Sequence, residues 1–144
     1  MSFSIANTRA YFDARIIECD ANLSFLDDPY GDDSISSAYP EKFYKLWFGD
    51  LDSEIIDNSY VDQIPLTIEI YEPRARDVTT SFDTLLDKAI DIKNNIIDPQ
   101  KVKSQTIFTD LIPQGIEIIQ IDSDDKTMVM RLNFIVRYDF LYTP

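Results

Sequence analysis

From residue 128 to residue 142 the chain alternates without a break. Met128, Met130, Leu132, Phe134, Val136, Tyr138, Phe140 and Tyr142 fall on one side, and Val129, Arg131, Asn133, Ile135, Arg137, Asp139 and Leu141 on the other. A period of two is the signature of a β-strand, and a strand this long sets a problem of size. At about 3.3 Å per residue, residues 127–142 would extend about 50 Å. A compact globule of this chain length is only about 37 Å across. Either a bulge bends the strand, or its distal end meets another subunit.

A polar turn at Asp122, Ser123, Asp124, Asp125 and Lys126 precedes this strand and predicts a C-terminal hairpin over about 116–142. A second clean alternation places Ile64, Leu66, Ile68 and Ile70 on one face and Thr67, Glu69 and Tyr71 on the other, the pattern of a half-buried strand with Glu69 on its wet side. Residues 42–48, rich in aromatics, fit a strand with poor alternation. Helical spacing appears twice. Ile5, Phe12, Ile16, Cys19 and Leu23 predict a helix over 4–19, capped by Ser4 and burying the Cys19 thiol. Phe82, Leu85, Leu86, Ala89, Ile90, Ile96 and Ile97 predict a second over 81–97, halted by Asp98 and Pro99. The expected fold is α+β, a mostly antiparallel β-sheet packed against two amphipathic helices. All 144 residues are expected to form one domain, with an exposed acidic loop over about 20–41.

The chemistry available to such a domain is narrow. The chain has no histidine, which removes the commonest general base and metal ligand. Cys19, the single cysteine, has no partner for an internal disulfide and no histidine to activate it. The three glycines, Gly31, Gly49 and Gly115, are too far apart to cradle a phosphate. Carboxylates remain. Asp27, Asp28, Asp32 and Asp33, and separately Asp122, Asp124 and Asp125, supply oxygen ligands without the EF-hand pattern, so they read as solvated acidic loops. Glu69 with Asp77 would be the pair for a two-metal nuclease. Trp47, flanked by Phe43, Tyr44 and Phe48, reads as core filler before it reads as a ligand stack or an interface anchor. No cofactor and no catalytic residue are expected.

A formal net charge of -13 repels phosphate backbones, which disfavours ordinary nucleic-acid binding. Nine Phe and eight Tyr argue against disorder. The N-terminal residues lack the basic and apolar regions of a signal peptide, and no apolar run approaches a membrane span. A cytosol-like compartment is expected.

The order of elements carries a resemblance: an N-terminal helix, an acidic loop, an aromatic strand, the strand Ile64-Pro65-Leu66-Thr67-Ile68-Glu69-Ile70, a helix opening at Phe82-Asp83-Thr84-Leu85-Leu86, and a hairpin ending in Arg131-Leu132-Asn133-Phe134-Ile135-Val136-Arg137-Tyr138. This layout resembles the tail terminator proteins of long-tailed bacteriophages and related tail-completion and head-to-tail joining proteins. The resemblance implies a virion structural protein, made in the host cytoplasm. It would form a homo-oligomeric ring, commonly a hexamer, at the end of the tail tube. That ring would stop tube growth and contact the tube protein and the neck or connector proteins, while DNA passes through without specific binding. Interface roles are then expected for the loop 27–37 with Asp27, Asp28, Asp32 and Asp33, for the segment 74–80 with Arg74, Arg76 and Asp77, and for Phe140 and Tyr142 at the distal end of the last strand. Two other classes stay open. One is an acidic binding module that imitates DNA charge, and the other is a carboxylate-dependent metal nuclease.

Overall fold

The computed structural model describes residues 4–26, 42–73, 78–119 and 127–141. Its elements are α1 (Ile5–Cys19), β1 (Ser24–Phe25), β2 (Phe43–Phe48), β3 (Asp52–Ile56), β4 (Ser59–Pro73), α2 (Val78–Ile96), α3 (Pro99–Lys103), β5 (Asp110–Ile119) and β6 (Thr127–Leu141). The strands form one sheet in the order β1-β2-β4-β6-β5, with β3 also paired to β4. Every pairing is antiparallel except that of β1 with β2. The fold is α+β, as expected, with α1 and α2 packed on one face of the sheet.

The even-numbered side of the central strands builds the core. Ile64, Leu66, Ile68 and Ile70 of β4 meet Met130, Leu132, Phe134 and Val136 of β6, under Tyr11, Phe12 and Ile16 of α1 and Leu85, Ala89, Ile92 and Ile96 of α2. Each fully buried large side chain there contributes about 1.5–3 kcal/mol. Two tyrosines also fasten helices by their hydroxyls. Tyr11 donates to the Ile96 carbonyl at 2.7 Å, and Tyr44 donates to Asp13 Oδ1 at 2.8 Å.

Both helices differ in detail from the sequence expectation. In α1 the side chain of Ser4 caps the helix, accepting from the Asn7 amide, but only Thr8, Tyr11, Phe12 and Ile16 are buried. The ends of α1 run past the core it covers, so Ile5 and Cys19, though on the apolar stripe, are exposed. Cys19 is therefore not the buried thiol that its spacing predicted. In α2 the helix starts at Val78, and Ile92, absent from the predicted stripe, is fully buried. Asp98 ends α2 and at once caps α3, accepting from the Gln100 amide with Pro99 in the first turn, where proline costs no hydrogen bond.

The long strand resolves its size problem inside the chain. β6 pairs with β4 through fifteen consecutive positions, from Thr127 opposite Pro73 to Leu141 opposite Ser59. It carries no bulge of its own, and its distal end lies against the start of β4. The bulge lies in the neighbouring strand β5, where the register shifts between Pro113 and Gly115. Gly115 holds φ at 131° there, a conformation only glycine adopts freely. Those two residues read as breakers, which is why the hairpin, expected from about 116, in fact begins at Asp110.

A second bulge explains how Pro65 sits in a central strand. Phe48 faces Leu66 and Asp52 faces Gln63, so Gly49, Asp50 and Leu51 oppose only Ile64 and Pro65. The Gly49 amide donates to the Pro65 carbonyl at 2.8 Å. A regular ladder would have Pro65 return that bond from its nitrogen, which as proline it lacks, and the strand bulges at that point. Beyond the bulge the chain resumes as β3.

The predicted acidic loop is shorter than 20–41. Asp20 is the C-cap of α1, Leu23 is buried, and Ser24 and Phe25 pair with Phe43 and Tyr44. The remainder, residues 27–41, lies outside the described residues.

Candidate functional site

Most of the residues expected at an interface lie outside the described residues: Asp27, Asp28, Asp32, Asp33, Arg74, Arg76, Asp77 and Tyr142, and likewise Asp122, Asp124 and Asp125. Phe140 is placed, in β6 opposite Tyr60. Two surfaces that the sequence reading did not single out present themselves instead.

The first is a projecting arm. β3 pairs only with the start of β4, from Asp52 opposite Gln63 to Ile56 opposite Ser59, and the far end of β6 backs the same stretch of β4. The turn at its tip puts Asp57 at φ 54°, the left-handed conformation that tight hairpins demand and that Asp tolerates better than most residues. All five residues of β3 are exposed. Leu51, Ile55 and Ile56 show 52%, 60% and 43% of their surface. Residues 50–62 carry five carboxylates, Asp50, Asp52, Glu54, Asp57 and Asp62, and no Lys or Arg. Asp62 accepts a hydrogen bond from Ser53 at 2.6 Å, while Asp50, Asp52, Glu54 and Asp57 have no ion-pair partner among the described residues. Among the described residues, apolar side chains and unpaired charge thus share an unpartnered strand edge.

The second surface is the sheet face away from the helices. Strand register lines up one transverse row of alternating charge: Lys45, Glu69, Arg131 and Glu117, on β2, β4, β6 and β5. Arg131 Nη2 bonds Glu69 Oε2 at 3.0 Å, and Nη1 lies 3.7 Å from Glu117 Oε2. The other Glu69 oxygen accepts from the Tyr71 hydroxyl at 3.3 Å. The Lys45 ammonium sits 5.5 Å over the Tyr71 ring. Neighbouring rows are neutral. Phe43 stacks on Tyr71 at 4.4 Å beside buried Val129, and Thr67 donates to Asn133, which donates in turn to Glu117.

This arrangement corrects the reading of Glu69. It is 4% exposed, not on a wet face, because the aromatic side chains of the next row and the charged side chains of its own row crowd it. Both of its oxygens are engaged, Oε2 by Arg131 and Oε1 by Tyr71. Trp47 is half-buried on the same face, with the Arg131 guanidinium 5.8 Å over its ring, so it is neither sealed in the core nor an open stacking platform.

The remaining chemistry is sparse. Although Cys19 is exposed as a residue, partial desolvation of its thiol first, and the Asp91 carboxylate second, push that thiol above its usual pKa, which suppresses the thiolate a nucleophile would need. Among the described residues no group of three or more His, Cys, Asp or Glu could hold a metal ion, and no helix is long and apolar enough to cross a membrane. Neither a protein-family model nor a curated protein matches the sequence.

Proposed function

We propose that this chain is a structural assembly protein without catalytic activity, a tail terminator of a long-tailed phage. In this reading it forms a ring, a hexamer, at the end of the tail tube, halts tube growth and joins the tail to the neck. The observation that carries the reading is the projecting arm. A ring-forming subunit keeps an unpaired strand edge and exposed apolar residues for its neighbours, and among the described residues β3 with Leu51, Ile55 and Ile56 offers both. The resemblance in element order supports the same reading. So does the charge, because an acidic wall around a channel lets a DNA duplex pass without adhering.

The test is tube growth. Purified chain is added to polymerising tail-tube protein from the same virus, and tube lengths are scored by electron microscopy with the chain gold-labelled. The reading expects label at one tube end and a shortened length distribution. Unlabelled ends with unchanged lengths would refute it.

A further inference from the structure

The geometry points to a specific contact between copies of this chain: the acidic, apolar-tipped arm of one copy docks on the basic corner where α2 turns into α3 of the next. This contact rests on the assembly reading and names the surfaces that would make the ring.

Self-repulsion opposes any such assembly. Copies carrying a net charge of -13 avoid one another unless opposite charges align locally. The arm is the more strongly acidic of the two surfaces, with five acids and no base over residues 50–62. The balance reverses over residues 93–107, where Lys93, Lys101 and Lys103 stand against the single acid Asp98. Lys101 is already tied to Glu18 at 2.9 Å. Lys93 and Lys103 have no carboxylate partner among the described residues. Among the described residues, unpaired positive charge therefore exists to match the unpaired negative charge of the arm.

Apolar ground lies beside those lysines. Ile97, Val102 and Ile107 pack on the core while remaining partly open, which suits Ile55 and Ile56 of an incoming arm. Placement also fits. β3 lies along one lateral edge of the sheet, and α3 leads within a few residues into β5, the strand at the other edge. A contact between two different surfaces at opposite edges is head-to-tail, the kind that builds a ring where the rotation closes and a filament where it does not, and never a two-fold pair.

Charge exchange tests it. One variant carries Asp50→Lys, Asp52→Lys and Glu54→Lys, which leaves the arm three bases against two acids, so that its arm and corner are both basic. The other carries Lys93→Glu and Lys103→Glu, so that both are acidic. The substituted residues are half-buried to exposed, and circular dichroism verifies that each variant folds. Light scattering across a concentration series is expected to show wild-type assembly. Each variant alone should need at least about tenfold more protein to assemble, given the weight of close interfacial charge pairs. An equimolar mixture, in which every arm again meets a corner of opposite sign, should regain the wild-type mass, with added salt weakening wild-type assembly. Variants that assemble like wild type would overturn the contact while leaving the ring itself standing. So would impaired variants whose mixture is not rescued. A wild-type chain that stays monomeric would overturn the contact in solution, and the tube-growth assay would then judge the terminator reading separately.

Discussion

Lys88 joins three elements at one end of the core. Its ammonium donates to Asp20 Oδ2 at 2.6 Å, where Asp20 caps α1, and also to the Glu72 carboxylate of β4. The three side chains keep only 19%, 11% and 10% of their surface. Replacing Lys88 by Met retains most of the apolar stem and deletes the charge, which leaves two screened carboxylates facing each other. Removing one partner from a buried ionic cluster costs about 3–5 kcal/mol. With an unfolding entropy of about 2.1 cal/mol/K per residue, near 0.3 kcal/mol/K for this chain, the melting temperature should fall by about 10 to 16 °C. The pH dependence gives a second reading. Burial alone would raise the Asp20 pKa, but the Lys88 ammonium and then the Asn22 amide hold it below the usual 3.8. Its contribution is thus complete above about pH 3.8 and fades as the pH falls through the lower folded value. Burial would likewise lower Lys88, and Asp20 and Glu72 hold it above 10.5 instead. That contribution is complete below about pH 10.5 and is lost as the pH rises through the folded value. In K88M the deficit should shrink on acidification, as Asp20 takes up a proton. Thermal unfolding followed by circular dichroism across this range checks both points. A loss under about 1 kcal/mol at neutral pH would show that the cluster is too well hydrated for this reasoning.

Three further outcomes follow from packing and backbone geometry. Phe134→Ala removes a ring that is 1% exposed and stands edge-on to Phe12 at 5.6 Å, so denaturant titration should report a loss of about 3–5 kcal/mol. Gly115→Ala meets open space but must adopt φ near +131°, which should cost about 1–3 kcal/mol in the same assay; a neutral result would mean that the β5 bulge relaxes. Ile55→Asp, on the arm at 60% exposure, should change stability by no more than about 0.5 kcal/mol while weakening assembly in light scattering. Unchanged assembly would remove the arm from the interface.

What periodicity can express was legible in the sequence. The even-numbered faces of β4 and β6 share the core as their alternation implied, and Ser4 caps α1. What needed tertiary register was not. Alternation assigned Glu69 a face, but its burial depends on Tyr71 in the same strand and on Arg131 and Glu117, which lie on strands that only the fold sets beside it. The arm escaped notice because β3 mixes acids and apolar residues without burying any, and its turn relies on the left-handed conformation of Asp57 rather than on a glycine. Pro113 and Gly115 masked the start of β5 because breakers and bulge residues look alike until a partner strand is known. Of the expected interface residues, Phe140 alone falls within the described residues. The arm and the charged row emerged from pairing geometry instead.

The most direct measurement is native mass spectrometry of the purified chain over a wide concentration range, which counts subunits without assuming a shape. A hexameric ring predicts a closed species of about 100 kDa, six chains of 16.7 kDa, that stops growing once formed. A mass of 16.7 kDa at every concentration would contradict self-assembly through exposed surfaces of this chain.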